Sequence, residues 1–253
     1  MPKAKEAAKR ALEIDDTLPE AHSSLATVNW WYDWDWLAAE RELRRAIELN
    51  PNYASGHEQY GRYLVSMGRF DEGIEENKRG VQLDPLSLRA NANLGQSLYF
   101  SRRYAQAIEQ LRKAIDMDPN FWVAHSDLGL AYEQKGQFPE AIAELQKAVL
   151  LEGAIPAPTA LLGRAYAVSG KRAEAQKVLD ELKERSKRSY VPPYNIAIIY
   201  TGLGEKDQAL AWLEKAYAER SFYLTLLKVD PDLDSLRSDP RFQDLARRVG
   251  LPP

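Results

Sequence analysis

The chain of 253 residues predicts an all-α protein, a solenoid of antiparallel helix pairs wound into a right-handed superhelix. Small residues recur at Ala26, Gly61, Gly95, Gly129, Gly163 and Ala197, spaced by 35 and then four times by 34. Directly before each stands a large apolar residue: Leu25, Tyr60, Leu94, Leu128, Leu162 and Ile196. A second small series, Ala39, Gly73, Ala107, Ala141, Ala175 and Ala209, keeps the spacing of 34 throughout, and a third runs Ala46, Gly80, Ala114, Ala148, Leu182 and Ala216. A period of this length marks a supersecondary unit that buries its apolar face only by stacking on its neighbours. Within each unit large side chains fill the seam between two helices, and small ones let the backbones approach.

Taken in order, residues 4–18 read as a second helix whose first helix is missing, so the chain begins in mid-repeat, as a piece of a longer polypeptide would. Between paired helices a glycine stands at Gly68, Gly136, Gly170 and Gly204, where the chain needs positive φ just beyond a helix end. Pro51, Pro85 and Pro119 close three units, each after Asn or Asp, as expected where a helix must stop. Units five and six lose this proline, and they carry Arg172 and Lys206 where Phe70, Tyr104 and Phe138 stand in other units. Pro156, Pro158, Pro192 and Pro193 fall in the first turns of their helices, where a missing N–H costs little. Asn77 occupies a position held elsewhere by Leu43, Leu111, Leu145, Leu179 and Leu213. It must find a partner or weaken that layer by about 1–3 kcal/mol. After residue 223 the period stops. A short helix near Leu233–Leu236 and another from Pro240 to Val249 are expected, with Leu233, Leu236, Phe242 and Leu245 covering the last repeat as a polar-backed cap.

The chain resembles the tetratricopeptide repeat family, most clearly in the segment AHSDLGLAYEQKGQFPEAIAELQKA from Ala124 through Ala148. On that resemblance a single domain spans 1–253: a half repeat at 4–18, full repeats at 19–53, 54–87, 88–121, 122–155, 156–189 and 190–223, and a C-terminal cap at 224–253. A looser resemblance, through the YDWDW segment, LNPNYA and the tail, is to tetratricopeptide regions of bacterial winged-helix regulators and serine/threonine kinases.

Composition narrows the function classes. There is no cysteine, which removes disulfides, thiolate metal sites and cysteine nucleophiles. A net charge of −3 gives no overall attraction for nucleic acid. No apolar run reaches bilayer length, and the N-terminus opens onto no signal region. These features predict a cytoplasmic protein with no direct membrane insertion.

Catalytic and cofactor chemistry finds no support, so no enzyme, metal, cofactor or small-molecule substrate is expected. His22, His57 and His125 share the fourth position of their repeats. Helices pack about 8–10 Å apart, too far for a shared metal with bonds of about 2 Å, so these imidazoles read as packing residues. Asp230, Asp232 and Asp234 have the spacing that begins a calcium loop, but Ser235 and Arg241 stand where its glycine and glutamate belong. Helix capping is expected instead. Gly202-Leu203-Gly204 follows no strand, and Ile74 stands where a phosphate loop needs lysine. A basic excess over residues 164–188 reads as a solvated helix face. Trp30, Trp31, Trp34 and Trp36 hold four of the six tryptophans beside the one extra residue of the first repeat. They staple a turn, or else form an exposed aromatic anchor; the staple is the favoured reading.

The family resemblance implies that the first helix of each repeat lines a concave face and that its second, fifth, sixth, ninth, twelfth and thirteenth positions meet a ligand. In this sequence those positions supply Gln59, Arg62, Arg89, Asn93, Gln96, Tyr99, Asp127, Glu133 and Asn195. Asn93 and Asn195 resemble the asparagines that hold a peptide backbone, since an amide donates and accepts together. Arg62 and Arg89 would pair with a carboxylate, and Tyr99 would pack an apolar side chain. The basic set that clamps chaperone tails in this family is absent. The expectation is a protein–protein interaction scaffold holding an extended peptide or partner helix, as the regulatory region of a larger bacterial protein. The alternative is a homo-oligomer formed by burying Ala8, Ala11 and Leu12 of the half repeat against a second copy.

Overall fold

The structure, a computed structural model, describes residues 1–152 and 154–251. Residues 252 and 253, the end of the expected cap, lie outside the described residues. Among these residues there are fourteen α-helices and no strand, so the expected all-α solenoid is the fold found. Helix α1 (Pro2–Ile14) precedes six antiparallel pairs. They are α2 (Pro19–Val28) with α3 (Trp36–Leu49), α4 (Ala54–Ser66) with α5 (Phe70–Leu83), and α6 (Leu88–Phe100) with α7 (Tyr104–Met117). Next come α8 (Trp122–Gln134) with α9 (Phe138–Leu151), α10 (Pro156–Val168) with α11 (Arg172–Ser186), and α12 (Pro193–Leu203) with α13 (Lys206–Ala218). No helix among the described residues is long and apolar enough to cross a membrane.

Each pair reverses direction through a left-handed residue, and these residues keep the period of 34. Gly68, Gly136, Gly170 and Gly204 have φ of 80°, 71°, 83° and 76°. Trp34 and Arg102 hold the equivalent places at 57° and 63° despite their side chains, a conformation that costs an L-residue about 1–2 kcal/mol. The first repeat reaches its turn by a different route. Helix α2 runs into a π-helical stretch, Asn29–Asp33, and this wider turn absorbs the extra residue. Trp34 thereby lands where glycine stands in the later repeats.

The recurring small residues are the closest points of helix contact. A methyl group on Gly95 would lie 2.6 Å from Leu111, and one on Gly129 2.6 Å from Leu145. At Gly61 the facing side chain is Asn77, which is fully buried. Its Nδ2 donates to the Gly73 carbonyl at 2.8 Å and to Ser97 Oγ at 3.0 Å, so the amide nitrogen of this polar exception finds partners while its Oδ1 has none within the protein.

The histidines staple consecutive elements. In His22, His57 and His125 the ring Nδ1 meets a carboxylate of the following helix (Glu42, Glu76, Glu144) at 2.6–2.7 Å. The ring Nε2 meets the carbonyl of Asp16, Pro51 or Pro119, six residues upstream, at 2.9–3.0 Å. The imidazole therefore bridges the inter-repeat turn and the neighbouring helix. In the third repeat Asn91 does the same without a titratable ring: its Nδ2 donates to the Pro85 carbonyl, and its Oδ1 accepts from Gln110.

Beyond α13 the chain forms 3-10 turns at Phe222–Leu226 and Pro231–Leu236, then α14 (Pro240–Arg248). Leu224, Leu227, Leu233, Leu236, Phe242 and Leu245 are all buried. This segment does more than cover the last pair, because it also reaches the first repeat. The Trp36 indole N–H donates to the Val249 carbonyl at 3.1 Å, Trp31 packs on Phe222, and an Arg220 N–H bonds the Tyr32 carbonyl, while Trp34 stacks on Tyr217 at the end of α13. One core cluster therefore contains residues from Ala26 to Leu251. The tryptophan-rich stretch is accordingly a staple: Trp30 and Trp36 are buried, and Trp31 and Trp34 pack against the same core. The face of α1 considered for self-association is turned onto its own chain, with Ala8 buried and Ala11 and Leu12 half-buried.

Candidate functional site: a divided concave face

The first helices of the repeats line the inner face, and the C-terminal segment divides it. Phe222, Thr225 and Leu226 meet Trp30, Trp31, Arg62 and Phe100, leaving only about 20 Å³ between them. On either side of this partition lies a pocket.

The first pocket, about 180 Å³, is formed by α2, α4 and α6 together with the π-helical stretch. Gln59, Arg62, Arg89 and Asn93 converge there around Glu58, which is 4% exposed. The Asn93 amide donates to Glu58 Oε2 at 3.0 Å, and the Arg89 guanidinium stands 3.8 Å from the same oxygen. Burial nevertheless pushes the Glu58 carboxyl above its ordinary range, the two partners offsetting only part of that cost. Arg62 lies over the Trp31 ring at 5.4 Å. Gln59 accepts from the Thr27 hydroxyl at 2.7 Å, and Arg89 is largely exposed at the rim.

The second pocket, about 190 Å³, lies between α6, α8, α10 and α12 and the C-terminal segment. Gln96, Tyr99, Asp127 and Asn195 line it, joined by Tyr223, Asp230 and Asp232 from the tail. Tyr99 was expected to offer its ring to a ligand. It is instead 2% exposed, and its hydroxyl donates to Asp232 Oδ1 at 3.1 Å. The same oxygen accepts from Gln134 at 3.2 Å and pairs with Arg164 at 3.0 Å. Glu133, also expected to face a ligand, is buried and pairs with Arg164 at 3.1 Å. Tyr194 bonds Asp230, whose other oxygen accepts from the Asp232 backbone N–H. The three aspartates of the calcium-like spacing thus turn to separate partners, Asp234 meeting Arg102 and Arg237. Burial pushes the Asp127 carboxyl up to about 7 and raises those of Glu133 and Asp230 as well.

Arg164, expected on a solvated basic face, is instead 6% exposed and anchors the tail through Asp232. The signal was present in the register, since Arg164 occupies the ninth repeat position, as Arg62 and Gln96 do. Asp230 and Asp232 carried no such signal, because they lie beyond the last repeat. A larger surface depression, about 650 Å³ and wide open to solvent, lies away from this inner face, between α3, α4 and α5.

Models of the tetratricopeptide repeat match residues 92–158 and 194–221. No curated protein sequence matches the chain. Among solved structures the chain is similar to PilF of Pseudomonas aeruginosa, with 24% identity, a TM-score of 0.57, and 74% of this chain and 85% of that chain covered. Similarity extends over 98% of the chain to the human IFIT1 dimer with m7Gppp-AAAA, at 17% identity and a TM-score of 0.69, covering 63% of that chain. The APC/C hetero-tetramer Cut9–Hcn1 gives 16% identity and a TM-score of 0.67 over 98% of this chain and 46% of that one. At such identities these structures speak for the fold.

Proposed function

Since this chain is a tetratricopeptide-repeat protein, a fold that generally mediates protein–protein interaction, we propose that it binds an extended peptide segment in the first pocket. The observation that carries this reading is the convergence of Gln59, Arg62, Arg89 and Asn93 on one open depression flanked by Trp30 and Trp31. Amide donors and acceptors suit an unpaired backbone, the exposed Arg89 suits a carboxylate, and the half-buried Trp31 suits an apolar side chain. Rigid stacked helices preorganise these groups, which lowers the entropy cost of binding. At the opposite end of the inner face the chain's own tail supplies part of the pocket wall, whereas the first pocket is built from repeats one to three alone, which supports placing the peptide there.

Selection from a displayed random peptide library, followed by calorimetry on the selected peptides, tests the assignment. Binding to the wild type is expected to weaken at least tenfold in an Arg89→Ala/Asn93→Ala variant that retains the wild-type circular dichroism spectrum. Equal affinity for both proteins would move the site elsewhere.

A further inference from the structure

The second pocket holds more buried acid and more free polar atoms than the tail contacts use. Asp127 is 7% exposed, and its Oδ2 has no partner within the protein. The same is true of Ser126 Oγ and Asn195 Nδ2, in residues 4% and 2% exposed. All three residues line the pocket, and two further acidic residues, Asp230 and Asp232, stand on its wall. Leaving a buried polar atom without a partner is unfavourable, so three around one cavity form a set awaiting a complement. The remaining lining is aromatic and aliphatic, including Phe100, Trp122, Leu161 and Ile198. The volume, about 190 Å³, far exceeds the ~10–15 Å³ that one water needs.

From this geometry we propose that the second pocket is a binding site for a primary ammonium carried on an apolar stem with a nearby carbonyl. The ammonium donates to Asp127 Oδ2 and Ser126 Oγ, the stem lies against the aromatic wall, and the carbonyl accepts from Asn195 Nδ2. A lysine within a peptide and a free lysine-like amine share this chemistry. The charge balance favours a cation over an anion. The Arg164 guanidinium is ion-paired with Glu133 and Asp232 and does not line this cavity, whereas Asp127 does line it and its Oδ2 has no hydrogen-bonded cation. A cation beside an aromatic face gains a further attraction. The site differs from the peptide pocket of repeats one to three, and its failure would leave that reading intact.

Calorimetry on the full chain provides the test, with Nα-acetyl-lysine methylamide and its norleucine counterpart as probes, since they differ by the ammonium group. The lysine probe is expected to bind at least tenfold more tightly, and Asp127→Asn, which keeps the side-chain shape, is expected to remove that preference. Equal binding of both probes, or of neither, would overturn the proposal without relying on any variant. A lysine preference that survives in Asp127→Asn would overturn it too. A lysine-containing pentapeptide then separates the sources. Tighter binding than the single residue supports a protein partner, and equal binding supports a small amine, each upholding the ammonium site.

Discussion

At the level of single residues, His57 shows how a repeat position acquires a pH response. Its Nε2 faces a carbonyl that can only accept, and its Nδ1 faces the Glu76 carboxylate. The Glu76 hydrogen bond raises the His57 pKa above its ordinary value, burial and Arg79 opposing it. A raised folded value means stability fully present below the unfolded pKa of about 6.5 and lost as pH rises through the folded one. A His57→Asn/Glu76→Gln variant transplants the Asn91–Gln110 pair of the third repeat. We expect it to fold and to lose this part of the slope in urea denaturation between pH 6 and 8. Two glycine substitutions separate backbone from packing effects. Gly136→Ala meets no atom within 4 Å but must hold φ near 71°, so a loss of about 1–2 kcal/mol is expected. Gly95→Ala keeps a helical backbone and collides with Leu111, an overpacking cost of about 1–3 kcal/mol. Thermal melts of the pairs Gly95→Ala/Leu111→Val and Gly136→Ala/Leu111→Val distinguish the two causes. Only the first pair is expected to recover stability relative to the sum of its single changes.

At the scale of elements, the π-helical stretch Asn29–Asp33 decides how the first repeat joins the end of the chain. It turns Trp30 inward against Tyr63 and leaves Trp31 and Trp34 for Phe222 and Tyr217. Trp36 completes the junction through its bond to the Val249 carbonyl. Trp36→Phe keeps the ring burial but leaves that carbonyl without its donor, for an expected loss of about 1–3 kcal/mol. Hydrogen exchange should report it as faster exchange in residues 249–251 with repeats three and four unchanged. Loss of protection spread evenly over the chain would contradict a local junction.

On the scale of the whole molecule, a solenoid stabilised by nearest-neighbour contacts is here tied end to end by its tail. The Arg164 network is the polar part of that tie. Arg164→Met would strand Asp232 and Glu133 in the interior, a change expected to cost about 3–5 kcal/mol, read as a fall in the urea midpoint. Burial raises the carboxyls of Asp127, Glu133 and Asp230. The folded chain therefore holds protons that the unfolded chain loses above about pH 4. The stability these groups contribute falls as pH rises from there through about 7–8. Greater stability at pH 5.5 than at pH 8 is expected, with a shallower slope in Asp230→Asn.

The sequence by itself determined the solenoid, because a period of 34 in small and large residues, with glycine at the turns, is a local pattern repeated until it admits one packing. The family resemblance read from it added the positions of the inner face, with Gln59, Arg62, Arg89 and Asn93 among the nine residues it named. What it did not reveal is which part of that face the tail joins. Tyr99, Asp127, Glu133 and Asn195 belong to the same set of inner-face positions, yet the second half of the face meets Asp230 and Asp232 from a segment without the repeat. Only the tertiary structure decided this. The tail's docking depends on the cumulative curvature of six stacked pairs and on contacts between residues more than a hundred positions apart, such as Tyr99 with Asp232 and Trp36 with Val249, which no local periodicity encodes.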